Sequence, residues 1–162
     1  MKILVVMMLM TLLTGCGSVT YEVVSDEFAV PEMPQPREVH FFLAEESVMP
    51  AMESEAGQLY LCGDYDVVSQ TLEGGDLDRT VRAVSGYGPE ELTLIQTASG
   101  EVDRYEFVWT SCSDGGQQIG RATLLDDGSY HYVLSATIDA ELMEQYQEIW
   151  NGIFETYELA SY

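Results

Sequence analysis

A chain of 162 residues with 46% hydrophobic side chains, ten tyrosines and two tryptophans has material for one compact core, which excludes wholesale disorder despite a formal charge of −22. Twenty-eight acidic residues against six basic ones exclude general nucleic-acid binding and electrostatic docking on anionic lipid, both of which need clustered lysine and arginine. Solubility and mutual repulsion are the simplest use of such a charge.

The chain opens on Lys2, an almost unbroken apolar run from Ile3 to Leu13, and the tetrapeptide Leu13-Thr14-Gly15-Cys16. One basic residue, a short apolar segment and small residues before a cleavage point have the layout of an export signal. The run of eleven residues would rise only about 16 Å as a helix, against a hydrocarbon core of ~30 Å, so it is too short to be a membrane span. The tetrapeptide resembles the bacterial lipobox. That resemblance implies that residues 1–15 are a cleaved lipoprotein signal peptide and that Cys16 receives a diacylglyceryl thioether as the first mature residue. A single acyl chain binds membranes only marginally, whereas two or more, at about 0.8 kcal/mol per buried methylene, keep a protein attached. Gly17 is not the aspartate that would resemble an inner-membrane retention signal, so the choice between membranes stays open. Losing Lys2 with the signal leaves five arginines against 28 acidic residues, a charge near −23. The lipid, and not the surface charge, must then hold the protein to the membrane.

Residues 16–37 carry Pro31, Pro34 and Pro36 among acidic and small residues, with a short strand expected at 21–24. They have the composition of a tether, able to lift a domain about 60 Å from the bilayer if extended at ~3.1 Å per residue. A single folded domain is expected over 38–162. Its elements in order are a strand at 39–43, a Met- and Glu-rich loop at 46–56, and strands at 58–62 and 65–72 joined through Gly63-Asp64 as a hairpin. Asp76 is placed to cap a short helix through Leu77, Val81 and Val84 that stops near Gly86. Strands follow at 92–97 and 105–111, the second with Tyr105, Phe107 and Trp109 on one face. Asp126-Asp127-Gly128-Ser129 joins strands at 119–125 and 130–137, and an Asp-Gly pair favours a type I′ turn.

The final element is a long helix with Asp139 as N-cap and an apolar stripe through Leu142, Met143, Tyr146, Ile149, Trp150, Ile153, Phe154 and Tyr157. Such a stripe packs across a sheet. The fold class expected is therefore α+β: an antiparallel sheet packed by a long C-terminal amphipathic helix and one shorter helix, after a signal peptide and flexible tether.

The order of elements over 38–159, closing on an aromatic-rich hairpin, one long helix and a short tail at Glu158-Leu159, is similar to PsbP- and DcrB-like domains. Pro36-Arg37-Glu38, Leu59-Tyr60-Leu61-Cys62, Gly74-Gly75-Asp76-Leu77-Asp78 and the run from Leu125 through Asp126, Asp127, Gly128, Ser129, Tyr130 and His131 to Tyr132 look like segments of an uncharacterised lipoprotein family of gut Firmicutes. Neither resemblance implies an activity.

With Cys16 committed to lipid, Cys62 and Cys112 remain as an even pair outside the cytosol. A disulfide and two free thiols are both open readings. His40 and His131 lack a second histidine or a cysteine at ligand spacing, and no nucleophile-elbow motif occurs. His131, between Tyr130 and Tyr132 on a strand, reads as a structural histidine. The acidic pairs at 64–66, 76–78 and 126–127 could offer carboxylate oxygens to calcium, but they match no EF-hand loop, and turns and caps explain the same residues without a metal. No catalytic residue, metal ligand or cofactor is assigned. The function expected is a membrane-anchored extracytoplasmic lipoprotein acting as a non-enzymatic binding or accessory module. Its partners are the membrane through Cys16 and an unknown envelope protein or polymer, with no nucleic acid. The alternative is an envelope hydrolase or carbohydrate-active enzyme with carboxylates on separate loops, marked by two carboxyls about 5–10 Å apart in a cleft.

Overall fold

The computed structural model describes residues 34–44, 48–113 and 115–161, the side chain of Ser113 excepted. The signal peptide, Cys16 and the tether up to residue 33, with the strand expected at 21–24, lie outside the described residues.

Nine strands and two helices follow one another among the described residues: β1 (Val39–His40), β2 (Met52–Ser54), β3 (Gly57–Leu61), β4 (Tyr65–Glu73), α1 (Leu77–Ser85), β5 (Ile95–Ala98), β6 (Asp103–Ser113), β7 (Gly116–Asp126), β8 (Tyr130–Asp139), α2 (Met143–Glu155) and β9 (Glu158–Leu159). Seven strands form one antiparallel sheet in the order β2-β3-β4-β8-β7-β6-β5, and β1 pairs with β9 in a separate ribbon. The class is α+β, as the sequence predicts.

Alternation across the strands divides the sheet into two apolar faces. On one, Tyr65 and Val67 of β4 and Tyr132, Leu134, Ala136 and Ile138 of β8 pack beneath Trp150, Ile153 and Phe154 of α2, with Tyr157 closing the end. On the other, Phe107, Trp109, Ala122, Leu124 and Val133 are covered by Val81 of α1 and by Tyr87, Leu92 and Leu94 of the loop that follows it. The central strand β8 is buried from His131 to Ala136 because both faces are roofed. The aromatic face of β6 is thus a core face, and Trp109 lies so close over Gly120 of β7 that a Cβ there would fall 2.1 Å from the indole.

The helix ends follow from local chemistry. Asp76 accepts a hydrogen bond from the Arg79 N–H at 3.3 Å, and Gly86 closes α1 at φ 79°. Asp139 does not cap its helix with its side chain, contrary to expectation. It is still the last residue of β8, paired with Gln118, and the chain enters α2 through a 3₁₀ turn at Ala140–Leu142.

At the 126–129 hairpin only Gly128 has positive φ, 84°. A type I′ turn would need two such residues, so the turn is not of the expected type. Asp126 and Asp127 brace it by accepting from the backbone N–H groups of Gly128 and of Ser129 and Tyr130.

The largest departures from the expected elements fall in three places. The strand at 39–43 stops at His40 because its partner β9 has two residues, and the Phe42 N–H turns to the Thr156 hydroxyl instead. The strand at 92–97 becomes Ile95–Ala98, because Leu92 and Leu94 fold inward beside α1. The loop at 46–56 contains β2, which forms a hairpin with β3.

Cys62 and Cys112 stand far apart in the sheet. Cys62 follows β3 beside Tyr65, and the pairing row Tyr65, Ile138, Ile119, Thr110 runs across the sheet toward Cys112 at the same end. Cys62, just past the end of β3, and Cys112 on β6 thus stand four inter-strand spacings apart, or about 19 Å at ~4.8 Å per strand. A disulfide needs Cα atoms within about 7 Å.

Candidate functional site: a groove on the open edge of β6

β5 is too short to cover β6. Its pairing ends at Ile95↔Glu106, so among the described residues those at 107–113 of β6 have β7 on one side and no strand on the other. A groove of about 820 Å³ runs along this edge. Tyr87, Glu90, Glu91 and Leu92 line it from the α1 side of the sheet, and Met143, Gln147 and Asn151 line it from α2. Ile95 and Val108, 55% and 54% exposed, supply an apolar floor.

Tyr87 is set by the end of α1. The Ser85 hydroxyl donates to the Val81 carbonyl at 2.8 Å and accepts the Tyr87 N–H at 3.1 Å, which turns the chain toward β6. The Tyr87 hydroxyl then donates to the Thr110 carbonyl at 2.7 Å. That oxygen therefore points away from β7. Backbone groups in an antiparallel strand alternate sides residue by residue, so Val108 and Cys112 also present their N–H and C=O to the open edge.

The wall beneath α2 is braced by charge. Glu106 meets Arg104 at 3.4 Å through one oxygen and Arg121 at 3.2 Å through the other. Arg121 also donates to the Asn151 side-chain oxygen at 2.9 Å and lies 4.6 Å from the centre of the Phe154 ring. Across the groove, a backbone N–H and the Arg82 guanidinium hold the exposed Glu90 carboxyl below its ordinary range, and Glu91 accepts the Gly88 N–H at 2.9 Å. Backbone hydrogen-bonding groups, apolar floor and acidic rim converge here.

The residues singled out from sequence lie elsewhere. His131 is fully buried, its Nδ1 is 2.7 Å from the Thr80 hydroxyl, and its Nε2 is 3.5 Å from Asp126. The Thr-His-Asp order has the chemistry of a nucleophilic triad. Thr80 is itself buried, however, and neither Thr80 nor His131 lines the groove, so the trio latches α1 to β8. Asp64 accepts from the Tyr146 hydroxyl, Asp76 caps α1, and Asp126 and Asp127 hold their turn. Among the described residues no group of three or more His, Cys, Asp or Glu is placed to hold a metal ion. Cys16 lies outside them, and no helix among them is long and apolar enough to cross a membrane.

No family model matches the chain, and no curated protein matches it in sequence. Among solved structures it is similar to a Pseudomonas aeruginosa protein of unknown function at 11% identity and a TM-score of 0.48, covering 82% of this chain and 90% of that one. It is also similar to LpqN, involved in cell envelope biogenesis of Mycobacterium tuberculosis, at 14% identity and a TM-score of 0.49, covering 78% of this chain and 87% of that one.

Proposed function

We propose that the chain is a lipoprotein of the cell membrane, anchored on the extracytoplasmic face through Cys16, that works as a binding or accessory module of the envelope. The observation that carries the anchoring is Leu13-Thr14-Gly15-Cys16 directly after a single lysine and a short apolar run. Binding as the mode of action is supported by the groove on β6, where open backbone groups and apolar side chains stand together at the surface. The anchor makes one test decisive. Cells fed a fatty-acid analogue should label the wild-type chain in the membrane fraction and leave Cys16→Ala unlabelled, as uncleaved precursor or soluble secreted protein. Equal label in both would sink the reading.

A further inference from the structure

We propose that the open edge of β6, residues 108–112, receives an extended basic segment of a partner chain by strand addition; this deepens the reading of the protein as a binding module and rests on it. Hydrogen bonding argues first. Val108, Thr110 and Cys112 direct their backbone groups outward, and the Thr110 carbonyl already accepts a bond from that side, from Tyr87. An extended chain laid there would continue the sheet beyond the point where β5 stops.

The two edges of the sheet are built differently. At one, β2 is three residues long and carries Glu53, with Glu55 following, which blunts it against pairing. At the other, β6 runs through Phe107, Val108, Trp109, Thr110, Ser111, Cys112 and Ser113 without a charge or a proline. The chain has no lysine beyond Lys2 with which to guard it. A long, uncharged edge is a pairing surface, and an incoming strand would take over the one outward acceptor already engaged, the Thr110 carbonyl, from Tyr87.

Charge selects the occupant. The groove presents Glu90 and Glu91 at its rim, while Arg121, a cation of its lining, is engaged by Glu106 and Asn151. At −22 overall, the molecule repels a second copy of itself as it attracts a basic segment. Ile95 and Val108 would receive the apolar side chains of a segment in which basic and apolar residues alternate.

The test uses the full mature chain in neutral detergent and a fluorescent decapeptide of alternating lysine and valine, read by anisotropy at low salt. Two control peptides accompany it: one with glutamate for lysine, and one with the amides on the edge-facing side N-methylated. The parent should bind at least tenfold more tightly than either. Val108→Pro should cut parent binding at least tenfold while leaving the unfolding temperature near that of wild type, because the N–H it removes makes no ladder bond to β7. Should that variant not fold, the N-methylated peptide still decides the matter on the wild-type chain. N-methylated and parent peptides binding equally, the glutamate peptide binding as well as the lysine one, or no binding at all would each overturn the proposal. A chain lipidated at Cys16 yet indifferent to N-methylation would overturn strand addition and leave the anchored module standing.

Discussion

Arginine is scarce in this chain, and three of its arginines hold the C-terminal segment in place. Arg104 donates to the carbonyls of Phe154 and Tyr157 at 2.7 and 2.9 Å, Arg37 donates to Ala160 at 2.8 Å, and Arg121 stands against Asn151 and Phe154. Arg104 thereby bonds the Phe154 carbonyl in the last turn of α2 and the Tyr157 carbonyl just beyond it, and sets a cation at the negative end of the helix dipole. Arg104→Met should cost about 1.5–3 kcal/mol, the range for hydrogen bonds to a charged group. Arg82→Ala, which breaks an exposed, solvent-screened pair with Glu90, should cost far less. Urea midpoints of the two variants separate these outcomes. Asp127 gives a pH signature. Partial burial pushes its carboxyl up, but hydrogen bonds from Tyr130, Ser129 and the Tyr132 hydroxyl, with the charge of Arg37, outweigh that and hold it below its ordinary value. The same site pushes Tyr132 up to about 12, through burial and then the Asp127 carboxylate. Because the folded value of Asp127 is depressed, its contribution is complete above the unfolded pKa of ~3.9 and is lost as pH falls through the folded one. Asp127→Asn should therefore be the less stable protein at pH 6, and the gap should close below about pH 4. A gap that is constant from pH 6 to 3 would contradict this.

At the scale of elements, α2 roofs the larger of the two cores, and Trp150 is fully buried at its centre. Trp150→Ala should cost about 3–5 kcal/mol and lower the yield of folded protein. Among the described residues the indole N–H of Trp150 has no hydrogen-bond partner. Trp150→Phe should accordingly cost far less, since it removes a buried orphan donor along with some contact area. Equal losses would show that the indole N–H is bonded. The stripe around Trp150 was legible in the sequence because helical periodicity records burial on one side, and α1 was legible because Asp76 and Gly86 carry the chemistry of helix ends. What local pattern does not carry is long-range pairing. β4 lies beside β8, with α1 and three strands between them in the chain, and that crossover places Cys62 and Cys112 on opposite sides of the sheet. The groove was missed for the same reason. It exists where β5 stops short of covering β6, and nothing in residues 92–98 announces that Leu92 and Leu94 belong to the core while Ile95 begins a strand. The alternation Phe107, Val108, Trp109 could have signalled an edge, since the apolar Val108 stands on the face opposite two core aromatics, yet a buried strand of a packed sheet has the same pattern.

For the whole molecule, charge is a destabilising background that its local contacts must overcome. A net of −22 on 162 residues makes the folded state repel itself, and the few cations are placed where they brace particular joints. The pairs at Arg104 and Arg121 are mostly shielded from solvent, with side chains 21% exposed, so salt screens them less than the diffuse repulsion across the surface. The two effects of added salt are therefore unequal. Raising sodium chloride from about 10 mM to 150 mM shortens the screening length from ~30 Å to ~8 Å, which relieves repulsion between carboxylates spread over the domain and leaves contacts within 3.4 Å almost intact. The urea midpoint at pH 7 should rise across that interval and then level off, and the rise should shrink as pH approaches the isoelectric point near 4.1. A midpoint that falls with salt at pH 7 would mean that the Arg104, Glu106 and Arg121 network outweighs the field of the whole chain.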